Sequence, residues 1–221
     1  AGGTWSGPNV TPSGLFTPNG AGINSLTYSF TDLNGCTNSD VVDITIIAPT
    51  PAVAGPDFAA CVNAPAITLN GTPIGGTWSG TSVTAGGVFT PNTVGTFALV
   101  YTYGTLTCLT TDTLIATVNP LPVVDAVANF ILCIDAAAVT LSGSPAGGSW
   151  SGTGITNPSG EFTPATALVG NHTLTYAYTD LITGCSATDV LTATVNPLPV
   201  VNAGVDTTLC DQPVPVQFTA T

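Results

Sequence analysis

The sequence predicts an all-β chain, a tandem array of small antiparallel immunoglobulin-like β-sandwiches of about 72–77 residues per repeat. Three observations predict it. The hexapeptide GGTWSG at 2–7 returns at 75–80 and, as GGSWSG, at 147–152. Short runs of Val, Leu, Ile, Thr and Tyr alternate with polar residues, the pattern of half-buried strands. Glycine (25) and proline (18) punctuate the 221 residues so often that no segment holds a 3.6-residue period.

Five landmarks recur in one order, which is a strong repeat signal. Trp5, Trp78 and Trp150 lie 73 and 72 residues apart. Gly-x-Phe-Thr-Pro places Phe16, Phe89 and Phe162 at spacings of 73 and 73. Tyr28, Tyr101 and Tyr176 follow in LTYSF, LVYTY and LTYAY. Cys36, Cys108 and Cys185 form one cysteine series, and Cys61, Cys133 and Cys210 the other.

Proline-rich joints mark the boundaries: APTPAV at 48–53, and NPLPVV at 119–124 and 196–201. Consecutive X-Pro units favour stiff, extended backbone. Complete repeats then run 49–119 and 120–196. Residues 1–48 are the C-terminal part of a repeat and 197–221 the N-terminal part of a further one. The ends read as a cut through a longer array.

Within a repeat the elements follow in order. AITLNG and AVTLSG occupy the B-strand position, and GTWSG is a short C strand. The Gly-x-Phe-Thr-Pro piece leads into a middle strand. GTFALVYTYG and GNHTLTYAYTD alternate over about eight positions as strand F. TDTLIATVNP and TDVLTATVNP close the repeat as strand G. A unit of this size buries only about 60% of its surface, so disulfides or stacked neighbours would help it.

The C-strand tryptophan of an immunoglobulin-like sandwich lies between the sheets. Trp5, Trp78 and Trp150 are therefore expected in the core, with Phe16, Phe89, Phe162, Tyr28, Tyr101 and Tyr176. The competing reading is an exposed sugar-stacking platform shown once per repeat. Only Thr and Ser flank the ring, which leaves few polar groups for sugar hydroxyls.

There is no lysine or arginine, against twelve acidic residues and one histidine, where an average chain of this length has on the order of 25 cations. Phosphate recognition needs such cations, so nucleic acid is excluded as a partner, and anionic membrane surfaces with it. No apolar run approaches the ~20 residues of a membrane span. The chain has neither methionine nor a signal peptide, and reads as a mature or excised piece of a secreted protein.

Six cysteines without metal-type spacing argue against zinc and for disulfides in an oxidising, extracellular setting. One cysteine precedes strand B and the other lies in the F–G turn, at opposite poles if strand A crosses the domain. That favours a bond between repeats, Cys61 with Cys185. Bonds within repeats, Cys61–Cys108 and Cys133–Cys185, are the alternative if strand A crosses over early.

Catalysis is not expected. His172 and Glu161 are the only residues of their types and recur in no other repeat. A glycosidase needs two placed carboxylates. Asp40 and Asp43 are three apart on a strand and so point to opposite faces. Asp40, Asp112 and Asp189 recur at the start of strand G, and Asp32 and Asp180 at the end of strand F. Across an F–G hairpin, Asp32 with Asp40 and Asp180 with Asp189 are weak Ca²⁺ candidates. Gly104 replaces the aspartate in the second repeat. No cofactor is expected beyond that.

Taken together, GGTWSG, GxFTP, LxYxY, the F–G cysteine and ATVNP resemble the immunoglobulin-like or PKD-like tandem repeats of large Bacteroidota cell-surface adhesins. These are the SprB-like gliding adhesins exported by type IX secretion. The resemblance spans the chain. It implies a surface filament or stalk, adhesion to polysaccharide or abiotic surfaces, and no enzymatic activity. It also implies O-glycosylation at Asp-Thr sites, which Thr113 and Thr207 match.

Two readings of function follow. In the first the array is a disulfide-locked fibre whose partners are further copies of the repeat. In the second each repeat binds glycan or Ca²⁺ and acts by avidity. A third, minor reading is a subunit polymerised by strand exchange, 197–221 of one chain completing 1–48 of the next.

Overall fold

The computed structural model describes residues 2–105, 108–208, 211 and 215–220. The chain divides into two compact units, Ala1–Asn119 and Pro120–Thr221. The first opens with β1 (Thr4–Ser6), β2 (Gly22–Thr31) and β3 (Thr37–Ile46), an antiparallel sheet in the order β1-β2-β3. There follow β4 (Phe58–Cys61), β5 (Ile67–Thr68), β6 (Thr77–Ser79), β7 (Val88–Phe89), β8 (Gly95–Tyr103) and β9 (Thr110–Asn119). One sheet runs β4-β9-β8-β6 and faces the pair β5-β7.

The second unit repeats the plan with β10 (Phe130–Cys133), β11 (Val139–Thr140), β12 (Ser149–Ser151), β13 (Ile155–Asn157) and β14 (Glu161–Phe162). A one-turn helix α1 (Pro164–Ala167), β15 (Gly170–Thr179) and β16 (Ser186–Asn196) complete it. Its sheets are β10-β16-β15-β12 and β11-β14-β13. Both repeats are immunoglobulin-like sandwiches, and the fold is all-β apart from one helical turn.

The long hairpins set the core. Along β8, Leu99 and Tyr101 are buried while Thr96 and Ala98 are exposed. Along β9, Leu114, Ala116 and Val118 point inward, and Leu99 sits opposite Leu114. The β15–β16 hairpin repeats this with Leu174 opposite Leu191. Phe89 and Phe162, from the facing sheets, are fully buried against these rows. Phe58 and Phe97 approach Phe89 edge-on at 5.9 and 5.7 Å, and Phe130 approaches Phe162 at 5.6 Å. Edge-to-face rings add about 0.5–1.5 kcal/mol beyond area burial.

Three features depart from the sequence reading. The first is α1, where no helix is expected: Pro164 stands at its first turn, where a missing N–H costs nothing, and Leu168 at φ 71° ends it. The second is the front of each repeat, which is not one strand crossing the domain. Val53 bridges to Thr72 on the B side, and the chain then crosses so that β4 lies parallel to β9. Asp125 bridges Ser144, and β10 lies parallel to β16 in the same way.

The third departure concerns residues 1–48. Trp5, Phe16 and Tyr28 are only half-buried, whereas their six counterparts Trp78, Phe89, Tyr101, Trp150, Phe162 and Tyr176 are buried. The sheet β1-β2-β3 lacks the front strand and the B strand that cover the same residues elsewhere. Phe89→Ala is expected to destabilise its repeat by about 3–5 kcal/mol, and Phe16→Ala by a small fraction of that. Urea unfolding followed by tryptophan fluorescence on both variants checks this.

Candidate functional site

The repeated hexapeptide builds a closed aromatic box. Gly75, at φ 101°, turns the chain, and Gly76 then lies flat against the ring of Tyr101. A Cβ on Gly76 would stand 2.4 Å from that ring. The close approach lets the Gly76 N–H donate to the Tyr101 hydroxyl at 2.8 Å, while that hydroxyl donates to the Pro73 carbonyl. Trp78 packs on the same tyrosine, with ring centres 5.1 Å apart. In the next repeat Tyr176 takes the N–H of Gly148 at 2.8 Å, donates to the Pro145 carbonyl, and holds Trp150 at 5.0 Å. Tyr28 takes the N–H of Gly3 at 3.2 Å and holds Trp5 at 5.2 Å.

Shallow grooves of about 270 and 200 Å³ lie over the two complete boxes. Their tryptophans are 5% and 3% exposed, so neither offers a face on which a sugar could stack. The motif is repeated because each sandwich needs it to close.

The recurring aspartates act on the backbone. Asp112 accepts the N–H of Ala54 at 2.8 Å, and Asp189 that of Ala126 at 2.9 Å. Asp57 accepts from Ile115 at 2.7 Å, where Asn129 accepts from Thr192 at the same distance. These bonds fasten the front of a repeat to its last strand. Asp32 accepts from Asn34 and Cys36, and Asp180 from Ile182 and Thr183, each shaping an F–G turn. Asp43 accepts from the Ser25 hydroxyl at 2.6 Å.

Three carboxyls are held below their ordinary range by these donors. For Asp32 the largest cause is the Cys36 N–H, for Asp180 the Thr183 N–H, and for Asp189 the Ala126 N–H. Asp32 and Asp40 do not face one another: Asp40 stands opposite Tyr28, and Asp189 opposite Tyr176. Among the described residues no three His, Cys, Asp or Glu side chains gather as a metal set. His172 is half-buried, and its Nε2–H donates to the Leu168 carbonyl at 2.9 Å. Glu161 is exposed on β14.

Cys61 and Cys185 are disulfide-bonded, whereas Cys36 and Cys133 are exposed thiols. Cys210 lies outside the described residues. Pairing inside a repeat fails on register. Cys61 stands beside Asn119, at the far end of β9 from Cys108 and Thr110. At about 3.3 Å per residue the nine intervening steps of β9 separate them by roughly 30 Å, and a disulfide spans at most about 7 Å between Cα atoms. Cys133, beside Asn196, is likewise a full strand from Cys185 at the start of β16, and its thiol is free. The register sets the partners of the alternative bonds, Cys61 with Cys108 and Cys133 with Cys185, about a strand length apart. The early crossover that was to permit them instead runs the front strand parallel to strand G and carries its cysteine to the opposite pole. Thr113 is exposed on β9, and Thr207 is exposed beyond the last strand.

No protein-family model matches the chain, and no curated protein is similar to it in sequence. Several solved structures resemble it. Drosophila N-cadherin EC1-4 is 11% identical, with 88% of this chain and 67% of that chain covered and a TM-score of 0.26. A Ca²⁺-stabilized adhesin with which an Antarctic bacterium binds ice is 16% identical, with 82% and 60% covered and a TM-score of 0.33. A SusE-like surface-located polysaccharide binding protein from the Bacteroides thetaiotaomicron heparin utilisation locus is 9% identical, with 87% and 55% covered and a TM-score of 0.36.

Because the three carboxyls are depressed in the folded state, their contribution to stability is complete above about pH 4 and is lost as pH falls through the lowered values. The urea midpoint is expected to stay level from pH 7 to about 4.5 and to drop below that. Asp189→Asn should flatten part of the drop. Separately, Tyr176→Phe strands the Gly148 N–H and the Pro145 carbonyl and should cost about 1–3 kcal/mol in the same assay.

Proposed function

We propose that the chain is a structural segment of a long extracellular adhesin filament or stalk, non-catalytic and disulfide-stabilised, that supports cell-surface adhesion or gliding. One observation carries the reading. The residues that recur from repeat to repeat are spent on the fold: rings inside the sandwich, glycines against tyrosines, aspartates on backbone N–H groups. The only histidine and the only glutamate recur nowhere. What the array multiplies is a unit of length.

The repeats divide at the prolines into 1–48, 49–119, 120–196 and 197–221, and Cys61 joins Cys185 across the joint between the two complete repeats. The register argument, and the oxidised state of both sulfurs beside free Cys36 and Cys133, support that pairing. Such a bond adds on the order of a few kcal/mol and also restrains bending at the proline hinge. The oxidised Cys61 and Cys185 support an extracellular setting. No helix among the described residues is long and apolar enough to cross a membrane. Partners are further repeats of the same kind and the surface or polysaccharide to which the filament adheres. Thr113 is the better placed of the two glycosylation candidates, being exposed beside Asp112.

Non-reducing mass spectrometry after aspartate-directed cleavage tests the joint, since trypsin finds no lysine or arginine. A linked peptide pair containing Cys61 and Cys185 is expected. Linkage of either to another cysteine would refute the locked joint. Titration with Ca²⁺ and a glycan panel tests the structural role, and saturable binding at one site per repeat would replace it with the avidity reading.

A further inference from the structure

Three Asn-Gly pairs occur in the sequence: Asn19-Gly20, Asn34-Gly35 and Asn70-Gly71. Such a pair carries its own reacting groups. The glycine nitrogen, once deprotonated, attacks the carbonyl carbon of the asparagine side chain, Cγ. A new N–Cγ bond closes a succinimide ring, the Cγ–Nδ2 bond breaks, and the side-chain nitrogen leaves as ammonia with the proton the amide gave up. Water then opens the ring at either carbonyl. The product is aspartate, or an isoaspartyl link in which the main chain runs through Cβ. Nothing is oxidised or reduced. Glycine favours the attack because no Cβ shields its nitrogen. Closure also swings that nitrogen over Cγ, at a ψ outside both the strand and the helical ranges. The backbone on either side must therefore be free to turn.

The three pairs differ in that freedom. Asn19 is exposed, and a Cβ on Gly20 would meet nothing within 4 Å. The matching turn of the next repeat, from Asn92 to Val94, is exposed as well, so the openness belongs to the turn. At Asn34 the side-chain amide donates to the Asp32 carboxylate at 3.3 Å, and the Gly35 N–H donates to the Asp32 carbonyl at 3.1 Å. Asn70 is exposed, but the backbone around it is clamped. The Leu69 N–H donates to the Gly87 carbonyl at 2.8 Å, and Thr72 exchanges two backbone bonds with Val53, at 2.9 and 2.7 Å. Between these clamps Gly71 lies on the Tyr101 ring, where a Cβ would stand 2.4 Å away. Turning the Gly71 nitrogen toward Cγ lifts it off that ring and pulls on both clamps. The same place in the next repeat is Ser142-Gly143, which has no side-chain amide to lose.

We propose that Asn70-Gly71 is a modification site gated by the fold. It deamidates when its repeat is open and not while the repeat is closed, and the isoaspartyl product keeps the repeat from closing again. That product adds a carbon to the main chain between Leu69 and Thr72, where the Tyr101 ring leaves Gly71 no room for one. A repeat held open for long is thereby retired, while the next repeat, with Ser142, recovers. The inference goes beyond the stalk reading and stands without it.

Incubation of the 221-residue chain at mildly alkaline pH, in buffer and in urea, tests it. Aspartate-directed cleavage and mass spectrometry follow each asparagine by the mass difference between amide and acid. Asn70 is expected to convert about tenfold or more slowly in buffer than in urea, and Asn19 to differ by about twofold or less. Tyr101→Phe removes the hydroxyl that binds Gly76 and Pro73. It should raise the Asn70 rate in buffer by about threefold or more and leave Asn19 unchanged. After long incubation in urea and dilution, the first complete repeat should regain protease resistance only in chains without isoaspartate at 70. Asn70→Ser, the residue of the next repeat, should regain it fully. Equal Asn70 rates in buffer and urea, or equal slowing of Asn19, overturn the gate. No conversion of Asn70 in urea overturns the site, and full refolding of the isoaspartyl chain overturns the trap.

Discussion

The absence of lysine and arginine is the constraint on which the rest depends. Every carboxylate must be balanced by water or by the backbone, and Asp57, Asp112 and Asp189 use the backbone. Asp112 and Asp57 in one repeat, and Asp189 with Asn129 in the next, accept N–H groups about 60 residues away in sequence. A hydrogen bond to an ionised acceptor is roughly twice as strong as a neutral one. It also needs no long, floppy partner side chain to be ordered. The front segment is rich in proline and glycine and cannot run a full ladder along strand G. Its N–H groups go instead to the side chains of Thr110 and Asp112. The carboxylates therefore do the holding that a continuous ladder would do in a larger domain.

The aromatic box solves the second difficulty of a small sandwich, which is to fill the space between sheets with few residues. Two glycines per repeat, such as Gly71 and Gly76, leave the tyrosine ring room to lie against bare backbone. The phenol then satisfies a turn N–H and a turn carbonyl at once. A Trp, a Tyr and a Phe with its edge-on partners supply large apolar area from few positions. The arrangement tolerates little change, because the ring and the glycine meet at van der Waals contact.

The aromatic series and the F and G strands were legible because they follow simple periods. Alternation in GTFALVYTYG placed Leu99 and Tyr101 inward, and equal spacing of Trp78 and Trp150 pointed to a position needed once per sandwich. The front of the repeat was not legible. APTPAVAGPDF carries no alternation, since the N–H groups of Ala52 and Ala54 bond to side chains while that of Val53 bonds to the Thr72 carbonyl. Its parallel course beside β9 depends on Asp57 and Asp112, which the sequence offers only as acidic residues near turns. The parallel course also places Cys61 beside Asn119, at the far end of β9 from Thr110. Trp5, Phe16 and Tyr28 are half-buried on the three-stranded sheet β1-β2-β3, where the equal spacing of the aromatic series gave no reason to tell them from their counterparts. The helical turn at Pro164 is too short to leave a periodic trace.

Because the front strand closes on the last strand, a repeat is complete only when both its ends are present. Contacts within a repeat are then long in sequence. A chain of formal charge −12 adds a longer-range term. Two such chains side by side repel wherever their surfaces come within the screening length, about 8 Å at physiological salt. Lateral packing has no cation with which to offset the same charges.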